Sequence, residues 1–209
     1  MTDYNITKLN ISQQDLNLLP KDISSYTKLE ILSCSCNSLT ELVNLPLTLK
    51  ELCCSYNSLS SLDNLPATLT YLDCSSNNIT QLDNLPQALI NLQCSSNKIT
   101  QLDNLPLALK ALYCYDNNIT CLDNLPHTLK ILSCYENKIT SLDNLPQRLQ
   151  ILECLGNNIT SLDNLPPTLT NLLFDITTLT HYPKNFTITK NIKPSDYHTH
   201  LYSLQYITN

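Results

Sequence analysis

The stretch LDNLPHTLKILSCYENKIT, from Leu122 to Thr140, decides the fold because it recurs at a fixed interval. Twenty residues earlier Leu102 begins LDNLPLALKALYCYDNNIT, and twenty residues later Leu142 begins LDNLPQRLQILECLGNNIT. No insertion or deletion separates the copies. A period of this length predicts a solenoid, in which each copy buries its apolar residues against the next one. Complete copies start at Leu29, Leu49, Leu69, Leu89, Leu109, Leu129 and Leu149.

Each copy contains a short strand pattern followed by a return segment. In LKILSC we expect Leu129, Leu132 and Cys134 to be buried, while Ile131 and Ser133 alternate outward. The Asn-Leu-Pro triplet disfavours helix at the residue before proline, and the few remaining residues are too short for an α-helix. We therefore expect an extended return path with at most a single 3₁₀ turn.

The unit L-x-x-L-x-C-x-x-N-x-I/L-T/S-x-L-D-N-L-P-x-x resembles the leucine-rich repeat family, whose core is LxxLxLxxNxL with cysteine allowed at the third apolar site. Its length and its L-x-x-L-P ending are similar to the short class found in bacterial effectors, with related versions in giant DNA viruses. The resemblance covers roughly residues 6–183. It implies a repeat solenoid with a parallel β-sheet on the concave face, an extended or 3₁₀ convex side, and about eight to nine repeats plus terminal caps.

The two ends depart from the repeat. We assign residues 1–28 to an N-terminal cap and a first, longer repeat whose extra length holds a short helix. Residues 29–183 form the solenoid, and its last copy has decayed, with Phe174 in place of the cysteine and Thr177 in place of the asparagine. Residues 184–209 are assigned to a C-terminal cap, in which NFTITKN alternates like a final strand.

Seven of the ten cysteines recur in register and are interpreted as a buried column of small apolar side chains. Metal sites use short C-x-x-C spacings with converging side chains, so no metal is predicted here. The three other cysteines, Cys36, Cys53 and Cys121, are expected to be more reactive. The column comprises Cys34, Cys54, Cys74, Cys94, Cys114, Cys134 and Cys154.

Two asparagine rows and one aspartate row share the same period. The first row, Asn37 to Asn157, follows each strand, and its amides are expected to bond the backbone of their own turn and of the next one. The second row, Asn44 to Asn164, is expected to serve the other edge in the same manner. The aspartates, Asp63 to Asp163, are expected to bond local N–H groups, and calcium binding along them is the open alternative.

Composition excludes several functions. The net charge is −6 with a pI near 5.0, and the scattered basic residues argue against a nucleic-acid partner or a polybasic membrane surface. A single glycine leaves no glycine-rich loop for phosphate. The first residues lack an apolar signal-peptide core, so we expect a cytoplasmic protein, in the host cytoplasm if it is viral or a secreted effector.

The outward strand residues, which form the concave face, carry the functional information. We predict a non-enzymatic module that binds a protein partner of basic or mixed charge through this face. The alternatives are a structural, self-associating array and a substrate-recognition subunit of a larger enzyme complex. The oligomeric state stays open. The predicted partner-binding residues are Tyr71, Asp73, Tyr113, Tyr115, Asp116, Ile131, Tyr135, Glu136, Ile151 and Glu153.

No enzymatic chemistry is predicted. The sequence shows no Ser-His-Asp or Cys-His arrangement, so we predict no catalytic residue and no cofactor. The pair His198 and His200 supplies only two potential metal ligands, which is weak support for a metal site.

Overall fold

A computed structural model describes residues 4–175 and 180, together with the backbone of residues 186–189 and 202–206. In this part of the chain eleven short strands form one continuous sheet. The strands are β1 Lys8–Asn10, β2 Ile31–Ser33, β3 Glu51–Cys53, β4 Tyr71–Asp73, β5 Asn91–Gln93, β6 Ala111–Tyr113, β7 Ile131–Ser133, β8 Ile151–Glu153, β9 Asn171–Phe174, β10 Phe186–Thr189 and β11 Tyr202–Tyr206.

Strands β1 to β9 pair in parallel with their sequence neighbours, and one strand with its return segment forms one rung of the solenoid. Leu72 pairs with Leu92, and Leu92 pairs with Leu112, so each rung repeats the last in register. Leu9 pairs with Leu32, which reflects the longer first copy. The predicted parallel solenoid is therefore confirmed.

The interior is a continuous apolar column, as predicted. Leu129, Leu132 and Cys134 are all completely buried. Ser133 alternates to the outer face, but it is only 2% exposed. Its hydroxyl donates a 2.7 Å hydrogen bond to Glu153 Oε2 on the next rung. The longer Glu153 side chain therefore covers Ser133.

The return segments are extended and contain one hydrogen-bonded turn each. The Leu69 N–H donates to the Pro66 carbonyl at 3.1 Å, and Leu89 repeats this bond to Pro86 at 3.0 Å. The longer first copy carries the only helical element among the described residues, a 3₁₀ helix at Ile23–Ser25. Both the extended return path and the short helix in the first copy are confirmed.

Every regular rung passes twice through left-handed backbone conformation. The first such position follows the strand, as at Ser96 with φ 52°, and the second belongs to the outer asparagine row, as at Asn104 with φ 60°. Asparagine tolerates this conformation better than most residues. The prediction that this row would bond like the first is wrong, because these side chains are exposed. Asn124 reaches only Asp103 Oδ1, at 3.5 Å.

The sheet ends in an antiparallel pair of strands. Strand β10 lies in the predicted NFTITKN segment, whereas β11 was not predicted. Strand β11 pairs with both β9 and β10, so the last strand of the chain is inserted between them. Phe174 fills the core in place of cysteine and is 1% exposed. Thr177, His198 and His200 lie outside the described residues.

Candidate functional site

The inner asparagine row holds the rungs that carry the candidate site. Asn97 is 9% exposed, and its amide group donates to the carbonyls of Cys94 and Ser95 on its own rung. It also donates to the Cys74 carbonyl and accepts from the Ile79 N–H, both on the preceding rung. The bonding to two rungs is confirmed, but the second partner is the preceding turn and not the next one.

The cysteine column beneath the sheet is chemically quiet. Burial raises the pKa of Cys34 to about 12, and Cys53 adds to the increase. Burial also raises the pKa of Cys94 well above its ordinary value of 9.0, with Cys114 as the second cause. The thiolate is the reactive form, so these sulfurs serve as packing groups.

The three cysteines outside the column differ from one another. Cys36 and Cys121 are exposed, and their predicted reactivity stays a prediction. Cys53 is half-buried on the concave face. Burial raises its pKa, and the nearby Asp73 and Glu51 carboxylates raise it further, so its higher reactivity relative to the buried column also stays a prediction.

The aspartate row bonds differently from the prediction. The Asp143 carboxylate accepts from the Ser141 hydroxyl at 2.7 Å, and Asp163 accepts from Ser161 at 2.6 Å. These partners are hydroxyl groups two residues earlier, whereas Asp103 and Asp123 accept from the side-chain amides of Asn124 and Asn144 at 3.5 Å. Among the described residues, no three histidine, cysteine, aspartate or glutamate side chains form a metal-ligating group.

The parallel register arranges the concave face in columns. Tyr71 lies beside Asn91. Two residues further along the strands, Asp73 lies beside Gln93, and Gln93 lies beside Tyr113. Residues from three separate copies therefore form one surface, as the predicted stacking requires.

Two tyrosines on neighbouring rungs stack on each other. The rings of Tyr115 and Tyr135 are 4.3 Å apart between centroids and 6° from parallel. Burial raises the pKa of Tyr135, and Tyr115, Glu153 and Asp116 raise it further. The stacked pair therefore lies next to two carboxylates.

A second aromatic and acidic group lies on β4 to β6. Burial raises the pKa of Tyr71 to about 12, and Cys53, Asp73, Glu51 and Tyr113 also contribute. Tyr71, Asp73 and Tyr113 are all half-buried, so part of each side chain still faces solvent. This placement brings the predicted residues of two rungs together across β5.

The remaining predicted residues complete the patch toward β8. Ile131 and Ile151 pair directly and are both half-buried. Glu136 is exposed, and its carboxylate lies over Gly156, where an added Cβ would come within 2.8 Å of it. Gly156 also has φ 62°, so both the conformation and the close approach favour glycine there.

Two residues of β5 and its following turn were missed by the sequence analysis. The side-chain atoms Asn91 Oδ1 and Ser95 Oγ are buried without a hydrogen-bond partner. The sequence does not indicate that a small polar residue on the outer face of a strand will be buried, because the side chains that bury it belong to another rung.

Comparison with solved structures places the architecture among leucine-rich repeat proteins. YopM, a leucine-rich effector protein from Yersinia pestis, is 31% identical with a TM-score of 0.73, covering 82% of this chain and 50% of that one. The internalin InlF from Listeria monocytogenes is 23% identical with a TM-score of 0.71, covering 84% and 56%. The functional domain of InlJ from Listeria monocytogenes, which includes a cysteine ladder, is 28% identical with a TM-score of 0.58, covering 81% and 47%.

This chain therefore spans about half the length of each of these three solved structures. No protein-family profile matches the sequence, and neither does any curated protein. Among the described residues there is no helix with the length and apolar character needed to cross a membrane.

Proposed function

Because this chain is a leucine-rich repeat protein, we propose that it is a non-enzymatic module that binds a basic protein partner through its concave face. The observation that carries this proposal is the composition of that face. Its outward residues on β2 to β9 include two tyrosines and three carboxylates, and no lysine or arginine. The turns that follow these strands add Tyr56, Tyr115, Tyr135, Asp116 and Glu136. Acidic surfaces attract basic partners and repel acidic ones, which also disfavours nucleic acid and anionic membranes.

The tyrosines supply the contact area that this role needs. A half-buried tyrosine presents a large apolar ring and a polar hydroxyl, and it loses little conformational freedom on binding. Tyr115 and Tyr135 restrict each other further by stacking. The asparagine ladder fixes the backbone beneath them, so only side chains have to adjust when a partner binds.

The similarity to YopM supports the biological setting. That protein is a leucine-rich effector, and its identity with this chain reaches 31%. We propose an effector-like role for this chain in the cytoplasm of a host cell, of bacterial or viral origin. Neither setting requires a cofactor, a metal or catalysis.

The test compares two triple variants in a pull-down from host-cell lysate, with mass spectrometry to identify the partner. We expect the change of Tyr113, Tyr115 and Tyr135 to alanine to abolish binding and to leave Tm nearly unchanged. The control changes Leu47, Leu107 and His127, all exposed on the return segments, to alanine. Binding that survives the tyrosine changes, or that is lost only in the control, contradicts the proposal.

The structural alternative, self-association, is favoured by one observation. Within the described residues the sheet ends at β1 and β10, and an unpaired strand edge can pair with another chain. Sedimentation velocity over a range of concentrations separates the two functions. A constant monomeric mass supports the interaction module, and a rising mass supports the array.

A further inference from the structure

The side chains of the concave face become smaller along β5. The residues of this rung are polar and smaller than tyrosine, whereas both neighbouring rungs carry tyrosines. We call this group of residues the β5 notch. Its floor is Asn91, Gln93 and Ser95, and its walls are Tyr71, Tyr113 and Tyr115.

The floor of the notch contains two polar atoms that lack partners. Ser95 is only 1% exposed, and its hydroxyl makes no hydrogen bond, whereas Ser55 in the same column donates to Ser35 at 3.1 Å. Asn91 Oδ1 is likewise buried and unbonded. Both atoms can accept a hydrogen bond, so each favours a ligand that supplies a donor.

The Ser95 end of the notch combines three features. The ring of Tyr115 stacks on Tyr135 with one face, so its other face is turned toward the β5 rung. Ser95 has the same position on the β5 rung as Tyr115 on the next rung, and the exposed Asp116 follows Tyr115 in sequence. An aromatic ring, an acceptor and a carboxylate therefore occur at adjacent positions of two neighbouring rungs.

The Asn91 end repeats the same combination. Tyr71 lies beside Asn91, and Asp73 lies two residues further along the strand of Tyr71. Asp73 already accepts from the Ser75 N–H at 3.0 Å through Oδ1, and its other oxygen can accept again. The two ends are four residues apart, which is roughly 13 Å in an extended chain.

We propose that the β5 notch binds an extended basic segment of the partner with two arginines at positions i and i+4. One guanidinium lies against Tyr71 and donates to Asn91 Oδ1 and Asp73. The other lies against Tyr115 and donates to Ser95 Oγ and Asp116. This inference rests on the proposed function of the concave face and specifies the chemistry of its partner.

Arginine fits these ends better than lysine. Its guanidinium is planar, stacks on aromatic faces and offers five N–H donors in a fixed geometry, with no acceptor that would be left unpaired. The spacing i and i+4 matters because alternate residues of an extended segment face the same side. Both acceptors are buried, so neighbouring side chains must move when the segment binds.

The experiment titrates the ¹⁵N-labelled full chain with three acetylated, amidated pentapeptides. The probe is Arg-Ser-Gly-Ser-Arg, and the controls are Arg-Ser-Gly-Arg-Ser, which alters the spacing, and Lys-Ser-Gly-Ser-Lys, which alters the cation. We expect saturable shifts of backbone amides on β4 to β6, with binding by the probe about tenfold tighter than by either control. Equal binding of all three peptides, or an absence of shifts on β4 to β6, overturns the inference.

A matched pair of variants tests the acceptor itself. Asn91→Ala is expected to weaken binding of the probe about tenfold, because it removes an acceptor of a charge-assisted bond. Asn171→Ala makes the same change in the same column on β9, four rungs away, and is expected to leave binding unchanged. Equal affinity of the two variants contradicts the assignment.

Failure of this inference is distinguishable from failure of the proposed function. If the probe does not bind but the triple tyrosine change still abolishes capture of the native partner, only the two-arginine motif is wrong. If that change has no effect on capture either, the concave face itself is not the binding surface.

Discussion

The two asparagine columns have the same residue type and the same period, yet they perform different physical tasks. In the inner column, Asn97 is buried and bonds two rungs through both its donors and its acceptor. In the outer column, Asn104 is exposed and has φ 60°. The inner position needs the amide side chain, and the outer position needs a backbone that accepts left-handed geometry. Repetition of a residue therefore identifies a constraint without identifying which physical property is constrained.

Alkaline pH should destabilise the protein through its buried cysteine column, and this is the largest effect that we expect. Burial raises the pKa values of the column thiols in the folded protein. As pH rises, the unfolded chain therefore releases these protons at a lower pH than the folded protein does. The stability that is present below pH 9 is then lost as pH rises toward the folded pKa values. Each thiol then contributes about 1.4 kcal/mol of lost stability per pH unit, or on the order of 10 kcal/mol for seven. Urea unfolding at pH 7 to 10.5 measures this slope.

The control for the pH experiment is Cys94→Ala. This variant should show a shallower slope by the contribution of one thiol, because the remaining column is unchanged. A stability that stays flat up to pH 10.5 would show that the thiols are not buried in the folded state.

Loss of an inner asparagine has the next largest expected effect. Asn97→Ala should destabilise the protein by about 4 kcal/mol, because the Ile79 N–H and the Cys74 and Cys94 carbonyls lose their partner in a buried setting. The free energy of unfolding from urea titration at pH 7 measures it. A cost below about 1 kcal/mol would mean that water replaces the amide and that the ladder is not structural.

The same substitution in the outer column should cost much less. Asn104→Ala should destabilise by about 1 kcal/mol, which is the penalty for placing a residue with a Cβ in left-handed conformation without the tolerance of asparagine. The same urea titration applies. If Asn104→Ala costs as much as Asn97→Ala, the distinction between the columns is wrong.

Glycine at the outer position should have the smallest effect. Asn104→Gly is expected to change the free energy of unfolding by less than about 0.5 kcal/mol, since the relief of strain offsets the greater freedom of the unfolded chain. Asn97→Gly serves as the comparison and should be at least as costly as Asn97→Ala. Equal effects of glycine in both columns would refute the assignment of conformation to one and hydrogen bonding to the other.

Most of the fold could be predicted from the sequence because each rung repeats one local solution. The strand, the buried cysteine and the return turn follow from spacing and residue type alone. Strand β11 escaped prediction because its partner β9 lies in the copy where the pattern decays, so no period carries over to it. The task of the outer asparagines was also missed, although the enrichment of asparagine in left-handed conformation was the available signal.

The candidate site was only partly accessible to sequence reasoning. The columns of Tyr71, Tyr113, Tyr115 and Tyr135 follow from register, but side-chain packing between rungs does not. The stack of Tyr115 on Tyr135 and the unbonded hydroxyl of Ser95 depend on which rotamers fit beside each neighbour. Such details need coordinates, because they arise between copies and not within one.

The uninterrupted twenty-residue register also has an evolutionary consequence. Since every rung pairs with its neighbours through the same atoms, a tandem duplication or loss of one coding period preserves both the reading frame and the stacking. Solenoid length can then drift by unequal recombination while each new copy is free to diversify its outward side chains. The gene thus has a route to new recognition surfaces that never passes through an unfoldable intermediate.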